Sequence, residues 1–396
     1  MFSRRDFLKV SSLASAASLM PGFLQELSFH PIHAEEKKLV IIQFSGGNDG
    51  LNTVIPYGDD NYYRLRKDLG IPESEILPLN DYQGLHPEMQ ALRSLYDQGE
   101  MSILNAVGYP NPDRSHFRSM DIWHTGSSAE EYWDTGWLGR YLDHACAGCS
   151  KPHSVLEMDT NLSLAVKGID HKALAVQNPT QLHQSVRDPW FATLEEQQGV
   201  PPESDLAYLY KTMVETRTSA QYLHETHKIY RSKQIWPVNP LARQLKTVSE
   251  LIISGAETKV YYVSLTGFDT HVRQKAQQAR LLKQYSEAIE VFVKELKQHD
   301  QFDKTLLMTF SEFGRRVKEN ASGGTDHGKA NNLFLLGGAL KQPGFVNPAP
   351  SLTKLDDGDV QWQIDFRQVY ASVLRDWLGA DDEAILKRKF ERLRLV

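Results

Sequence analysis

The feature that most constrains this chain is a set of apolar, β-rich runs whose ends carry acids and histidines. Leu39–Phe44 leads into Ser45-Gly46-Gly47-Asn48-Asp49-Gly50, and Lys259–Leu265 leads into Thr266-Gly267-Phe268-Asp269-Thr270-His271. Thr305–Phe310 leads into Ser311-Glu312-Phe313-Gly314-Arg315-Arg316. The loop Gly323-Gly324-Thr325-Asp326-His327-Gly328 comes just before another run, Asn332–Leu336. In an open α/β sheet the strand ends on one edge converge on a crevice, and ligands bind there. Carboxylates and imidazoles gathered in such a crevice are metal ligands or acid–base groups. The pattern points to a metal-dependent or acid–base enzyme.

Between these runs lie helical stretches, and the alternation implies an α/β fold with a mostly parallel sheet covered by helices. Pro87–Gln98 has helical spacing and precedes a strand at Met101–Val107. Ser115–His124 reads as a helix stopped by Gly126. The middle of the chain offers β segments at Ser154–Met158, Leu162–Val166 and Ala173–Gln177. Residues 185–235 are rich in Glu, Gln, Lys and Tyr with sparse apolar positions, and read as a helical cap insertion. Leu241–Ile253, Ala276–Lys297 and Asp365–Leu378 complete the helices.

The N-terminus reads as an export signal. Arg4-Arg5 within Ser3–Lys9, an Ala/Ser-rich apolar stretch to Leu24 and a cleavage point after Ala34 form a twin-arginine pattern. Such signals address proteins that cross the membrane already folded, with the cofactor in place. Residues 1–34 are therefore set apart, and 35–396 are read as one domain carrying the cap. A formal net charge of −6 argues against a nucleic-acid partner. No apolar run reaches the ~18 residues of a membrane span, so the expected location is the periplasm. Cys146 and Cys149 are the two cysteines, read as structural or incidental.

Each motif has a chemical reading. Glycines around Asp49 permit tight turns. Asp269 and His271 alternate along an extended segment and so point the same way toward one ion. Glu312 and Arg315 fall on one face if a helix starts there, either as a structural salt bridge or as a metal-ligating acid beside an arginine that clamps an anion. Asp326 and His327 form a second acid–imidazole pair. Ser115 and His116 stand at a helix start, where free N–H groups attract an anion and a hydroxyl or imidazole can attack it. No Gly-x-Gly-x-x-Gly follows the first strand, which counts against a dinucleotide enzyme.

The order Asp, nucleophile-bearing helix, Asp/His, acid, His resembles the alkaline phosphatase superfamily, which includes the sulfatases. More closely, the chain is similar to the twin-arginine-exported domain-of-unknown-function 1501 family. That resemblance is carried by Gly46–Gly50, Arg114–Phe117, Gly267–His271, Phe310–Arg315, Gly324–Gly328 and Asp365–Tyr370. It implies an alkaline phosphatase-like three-layer sandwich, divalent metal (zinc first, calcium or manganese as alternatives) and a metal-dependent hydrolase of phosphate or sulfate esters. The substrate would be a small anionic ester or a sulfated or phosphorylated glycan. The metal residues carried over are Asp49, Asp269, His271, Glu312, Asp326 and His327. Ser115, His116 and Arg315 are carried over as catalytic, with the nucleophile left open between Ser115 and His116. Phe313 departs from the superfamily, where a ligating histidine stands. That departure keeps open a catalytically inactive protein that binds an anionic glycan or a protein partner.

Overall fold

The computed structural model describes residues 37–145, 151–187 and 205–396. The segment 1–34, expected to be an export signal, Cys146, Cys149 and part of the 185–235 stretch lie outside the described residues.

The main sheet is assembled from β1 (Lys38–Ser45), β2 (Met101–Gly108), β3 (Val155–Glu157), β4 (Leu174–Ala175), β5 (Val260–Thr266), β6 (Thr305–Ser311), β7 (Asn331–Leu336) and β8 (Gly344–Phe345). A two-residue hairpin pair, β9 (Leu355–Asp356) and β10 (Asp359–Val360), stands apart from it, and β11 (Ile364–Asp365) rejoins it alongside β2. The spatial order is β8-β2-β7-β6-β1-β5-β3-β4. β1 pairs in parallel with both β5 and β6, and β3 in parallel with β5 and β4. β7 alone runs against its neighbours β2 and β6. The sheet is thus mixed and mostly parallel, as the alternation of runs implied.

β1 shows why the sheet carries helices on both sides. Val40, Ile42 and Phe44 enter one apolar cluster, while Leu39 and Ile41 enter another. A strand apolar on both faces needs cover on both. The first cluster is closed by α1 (Gln90–Asp97), α5 (Pro240–Ile253) and α6 (Gln274–Gln298), with Leu223 of α4 (Asp205–His227) joining them. The second is closed by α2 (His116–Thr125), α3 (Trp137–Ala145) and α7 (Phe366–Ser372). Trp123 of α2 stacks between Phe310 and Phe366, at ring-centre distances of 4.7 and 4.3 Å, and so fixes α2 against the sheet.

Two local expectations change. Leu162–Val166 is not a strand: Leu164–Val166 form a 3-10 turn, with Ala165 and Val166 buried in the second cluster. Its backbone is satisfied locally, as Lys167 N–H donates to Leu164 O at 3.2 Å. The last helix is α only to Ser372 and then widens into a π turn, Val373–Trp377. In the stretch expected to form a cap, α4 packs against Pro179–Ser185 and α5.

Glu157 ends β3 inside the protein, and its Oε2 accepts the Ser163 N–H at 2.6 Å. Burial pushes its carboxyl from the ordinary 4.5 up to about 7, the Ser163 bond offsetting only part of this. A carboxyl raised on folding binds its proton more tightly in the native state than in the unfolded chain. Its contribution is therefore full below the unfolded value and is lost as pH climbs through the folded one, a fall of ~3 kcal/mol. Glu157→Gln is expected to remove that fall. Urea unfolding at about pH 5 and about pH 8 should show the native protein losing ~2–3 kcal/mol more than the variant.

Candidate metal centre

Topology decides which loops meet. Ser45 pairs with Thr266 and Phe44 with Ser311, so β1, β5 and β6 end together on one edge. β2 also ends there, and the chain then passes into α2. Because β7 is antiparallel, it begins where the others end, and this returns His327 to the same edge. Two glycines make the close approach workable. Gly46 has φ +120°, and a Cβ there would lie 2.3 Å from Asp269 N. Gly47 has φ +70°, and its Cβ would enter the Phe313 ring.

Three imidazoles and one carboxylate converge in this space. His327 Nδ1 lies 2.8 Å from the Arg114 carbonyl, which only accepts, so the proton sits on Nδ1 and the Nε2 lone pair faces inward. His116 Nδ1 lies 3.0 Å from Glu312 Oε1 and donates to it, which turns the His116 Nε2 lone pair inward too. His116 Nε2 is buried and has no hydrogen-bond partner. Asp269 Oδ1 stands 3.3 Å from His327 Nε2, 3.1 Å from His271 Nε2 and 3.5 Å from His116 Nε2. His271 Nε2 and His327 Nε2 are 2.9 Å apart. At that separation two imidazole nitrogens must share either a proton or a cation.

The donors of His116, Asp269 and His327 all lie within 4.8 Å of one another, a group able to hold a metal ion. Donors around a tetrahedral zinc stand about 3.3 Å apart, from bonds of about 2.0–2.1 Å. The separations above bracket that figure, and an imidazole-rich set with one carboxylate suits a borderline cation. The orphaned, buried His116 Nε2 is the group such an ion would satisfy. The residues present therefore fit a divalent metal.

The surroundings hold these donors in place. Glu312, fully buried, accepts the Gly46 N–H at 2.8 Å with the same oxygen that takes His116. Its hydrogen bond, against the opposing effect of burial, raises the His116 value. Burial alone would raise the Asp269 carboxyl, but Arg315, His327 and His116 together hold it down at about 2. Burial lowers His327, which favours the neutral, ligating ring. Phe313 packs against both His116 and His327, at 4.8 and 4.7 Å between ring centres.

Other expected residues are placed differently. Arg315 is turned into the protein. Its Nε donates to Gly47 O, Nη1 to Thr325 O, and Nη2 to Gly46 O, Phe268 O and Asp269 Oδ1. It therefore orients Asp269 and, fully buried against these oxygens, does not face an incoming anion. Asp49 is not brought to the donor group: it is buried and spent on Arg66, Gln274 and the Leu51 N–H. Glu312 backs His116 and bonds to Ser311 Oγ. Asp326 is exposed, with Oδ1 3.5 Å from His271 Nδ1. Ser115 is the N-cap of α2, yet its hydroxyl makes no capping bond and the residue is exposed.

Sequence reasoning did not find Arg66, Gln274 or the Arg114 carbonyl. A carbonyl leaves no trace in residue identity, and Arg66 reaches Asp49 from another segment. The one signal on offer was Arg66 itself, a charged residue in a stretch that folds against the Gly-rich turn.

A family model described as protein of unknown function (DUF1501) matches residues 36–394. No curated protein matches the chain. Similar solved structures include the C-terminal periplasmic domain of EptC from Escherichia coli, 10% identical over 89% of this chain and 86% of that one, with a TM-score of 0.42. A sulfatase, PsFucS1 from Pseudoalteromonas sp., is 11% identical over 91% of this chain and 71% of that one, with a TM-score of 0.41. A protein in the alkaline phosphatase superfamily from Vibrio parahaemolyticus is 12% identical over 89% and 69%, with a TM-score of 0.38. At these scores none of them carries an argument about the chemistry of this chain.

Proposed function

This chain belongs to the DUF1501 family, and from that premise we propose that it is an exported, metal-dependent hydrolase of phosphate or sulfate esters. One observation carries the reading: a buried His116 Nε2 without a partner, facing Asp269 and His327, with His271 against the same Asp269 oxygen. His116, His271, His327 and Asp269 would hold one divalent cation, zinc by the chemistry of the set. When bound, that cation supplies positive charge toward the nonbridging oxygens of an anionic ester.

The chain's own residues do the positioning. Glu312 and the Arg114 carbonyl keep the protons of His116 and His327 on their outer nitrogens. Arg315 aims Asp269, and the Phe313 ring keeps water from the backs of the two imidazoles. With His116 Nε2 facing the donor group, Ser115 is left as the nucleophile, its hydroxyl unspent at the helix start. The reading keeps the twin-arginine route to the periplasm; no helix among the described residues is long and apolar enough to cross a membrane.

A second reading, an inactive protein that binds an anionic glycan or a protein, draws on the arginines. Arg315 and Arg118 donate to carbonyl oxygens, and Arg114 to Asp357 and Asp359. Turnover of a panel of aryl phosphate and sulfate esters separates the two. The hydrolase reading expects metal-dependent turnover that Ser115→Ala abolishes, by at least about 100-fold, without loss of bound metal. Stoichiometric metal with no turnover on any ester would favour the binder.

A further inference from the structure

Beside the metal centre, one guanidinium has unspent donors. Arg316 follows Arg315 in the chain and is one-third exposed. Its nearest carboxylate oxygens are Asp357 Oδ2 at 3.6 Å and Asp359 Oδ1 at 3.9 Å, both beyond hydrogen-bond reach. Arg114 lies on the other side of the same Asp357 oxygen, at 2.9 Å. Lys329 Nζ adds a third cation, 2.5 Å from Asp356 Oδ2. Arg114 stands two residues before His116, Lys329 two residues after His327, and Arg316 directly after the arginine that orients Asp269.

All three are faced by the carboxylates of one hairpin, β9–β10. Its turn, Asp357-Gly358, has φ of +54° and +81°, the two-residue reversal that favours Asp, Asn and Gly. Val360 roots it in a small apolar cluster with Val317 and Ala330. Asp359 is fully buried, and its Oδ1 accepts no hydrogen bond. Asp357 is 70% exposed and touches the cations only with its tip. Exposed ion pairs contribute little net stability, so this carboxylate is cheap to displace. Two guanidiniums placed about one carboxylate oxygen, one bonded to it and one with its donors unspent, are also the arrangement that receives a tetrahedral oxyanion.

We propose that Arg316 and Arg114 form an anion subsite next to the metal centre, covered here by Asp357, and that it takes a tetrahedral oxyanion, a phosphate or sulfate group. In the proposed function this group is a second charge on the same ester, which makes the substrate class polyanionic. The subsite rests on that reading only for this last step.

The test is isothermal titration of inorganic phosphate, and separately of inorganic sulfate, into the metal-free full chain. Asp357→Asn keeps the left-handed turn, since Asn tolerates it, and removes the covering charge. It is expected to tighten binding of at least one of the two anions by about fivefold or more, and Arg316→Ala to weaken it by a similar factor. The anion that responds more strongly names the group. If Asp357→Asn binds both anions no tighter than the native chain, or Arg316→Ala binds them as well as the native chain does, the subsite is wrong. Because this titration uses neither metal nor ester, its result stands apart from any failure of the hydrolase reading.

Discussion

Replacing His327 with alanine is expected to lower zinc affinity by more than about 100-fold, beyond the loss seen when only an outer partner of a ligand is removed. His327 Nε2 stands close to two other donors, 2.9 Å from His271 and 3.3 Å from Asp269. Its ring also packs against His116 at 4.4 Å, so its loss frees a second ligand to turn. Competition titration against a chromophoric chelator reads this directly. Two controls give the result its meaning. Asp326→Asn should stay within about threefold of native, because that carboxylate is exposed and 3.5 Å from the outer nitrogen of His271. Asp49→Asn should also keep its zinc, although it breaks a buried pair with Arg66 and costs stability. A His327→Ala protein that binds zinc like the native chain would remove this residue from the centre.

Arg315→Ala is expected to show the largest stability effect, a loss of about 3–5 kcal/mol, because several buried carbonyls lose a charged donor at about 1–3 kcal/mol each. The side chain is fully buried, and its loss strips donors from the carbonyls of Gly46, Gly47, Phe268 and Thr325 and from Asp269. Those groups belong to the loops after β1 and β5 and to the loop between β6 and β7, which carries Arg315 itself. One guanidinium thus ties three loops together beneath the centre. Arg315→Lys should restore little, since an ammonium lacks the planar fork that reaches several carbonyls at once. Arg316→Ala, next in the chain and partly exposed, should change stability by less than about 0.5 kcal/mol. Urea unfolding curves of the three variants check the ranking, and equal losses at Arg315 and Arg316 would contradict it.

The sheet was legible because its strands are apolar on both faces. A run such as Leu39–Phe44 has no polar face to offer solvent and is long enough to stand alone as a strand. The convergence of Asp269, Glu312 and His327 was legible for a related reason. Once the strands are parallel their ends share an edge, and the fourth loop needed only an antiparallel strand to join them. The role of each side chain was less legible. Arg315 reads as an anion clamp in sequence because spacing says nothing about which carbonyls will surround it. Asp49 reads as a ligand because its partner Arg66 and the Gln274 amide come from segments whose approach is set by packing. Leu162–Val166 has strand-like apolarity, but Ala165 and Val166 are buried among helices, where a local turn satisfies the backbone without a neighbouring strand. The π turn after Ser372 leaves no compositional mark, since apolar residues continue through it.

The central claim is that three imidazoles and one carboxylate, drawn from the loops at one sheet edge, grip a single cation. Elemental analysis of the native chain after exhaustive dialysis against micromolar zinc tests it most directly. The account predicts about one equivalent of zinc per chain, and about a tenth or less in the His327→Ala variant dialysed alongside. Native protein that emerges without zinc, or a variant that retains it fully, would contradict the account.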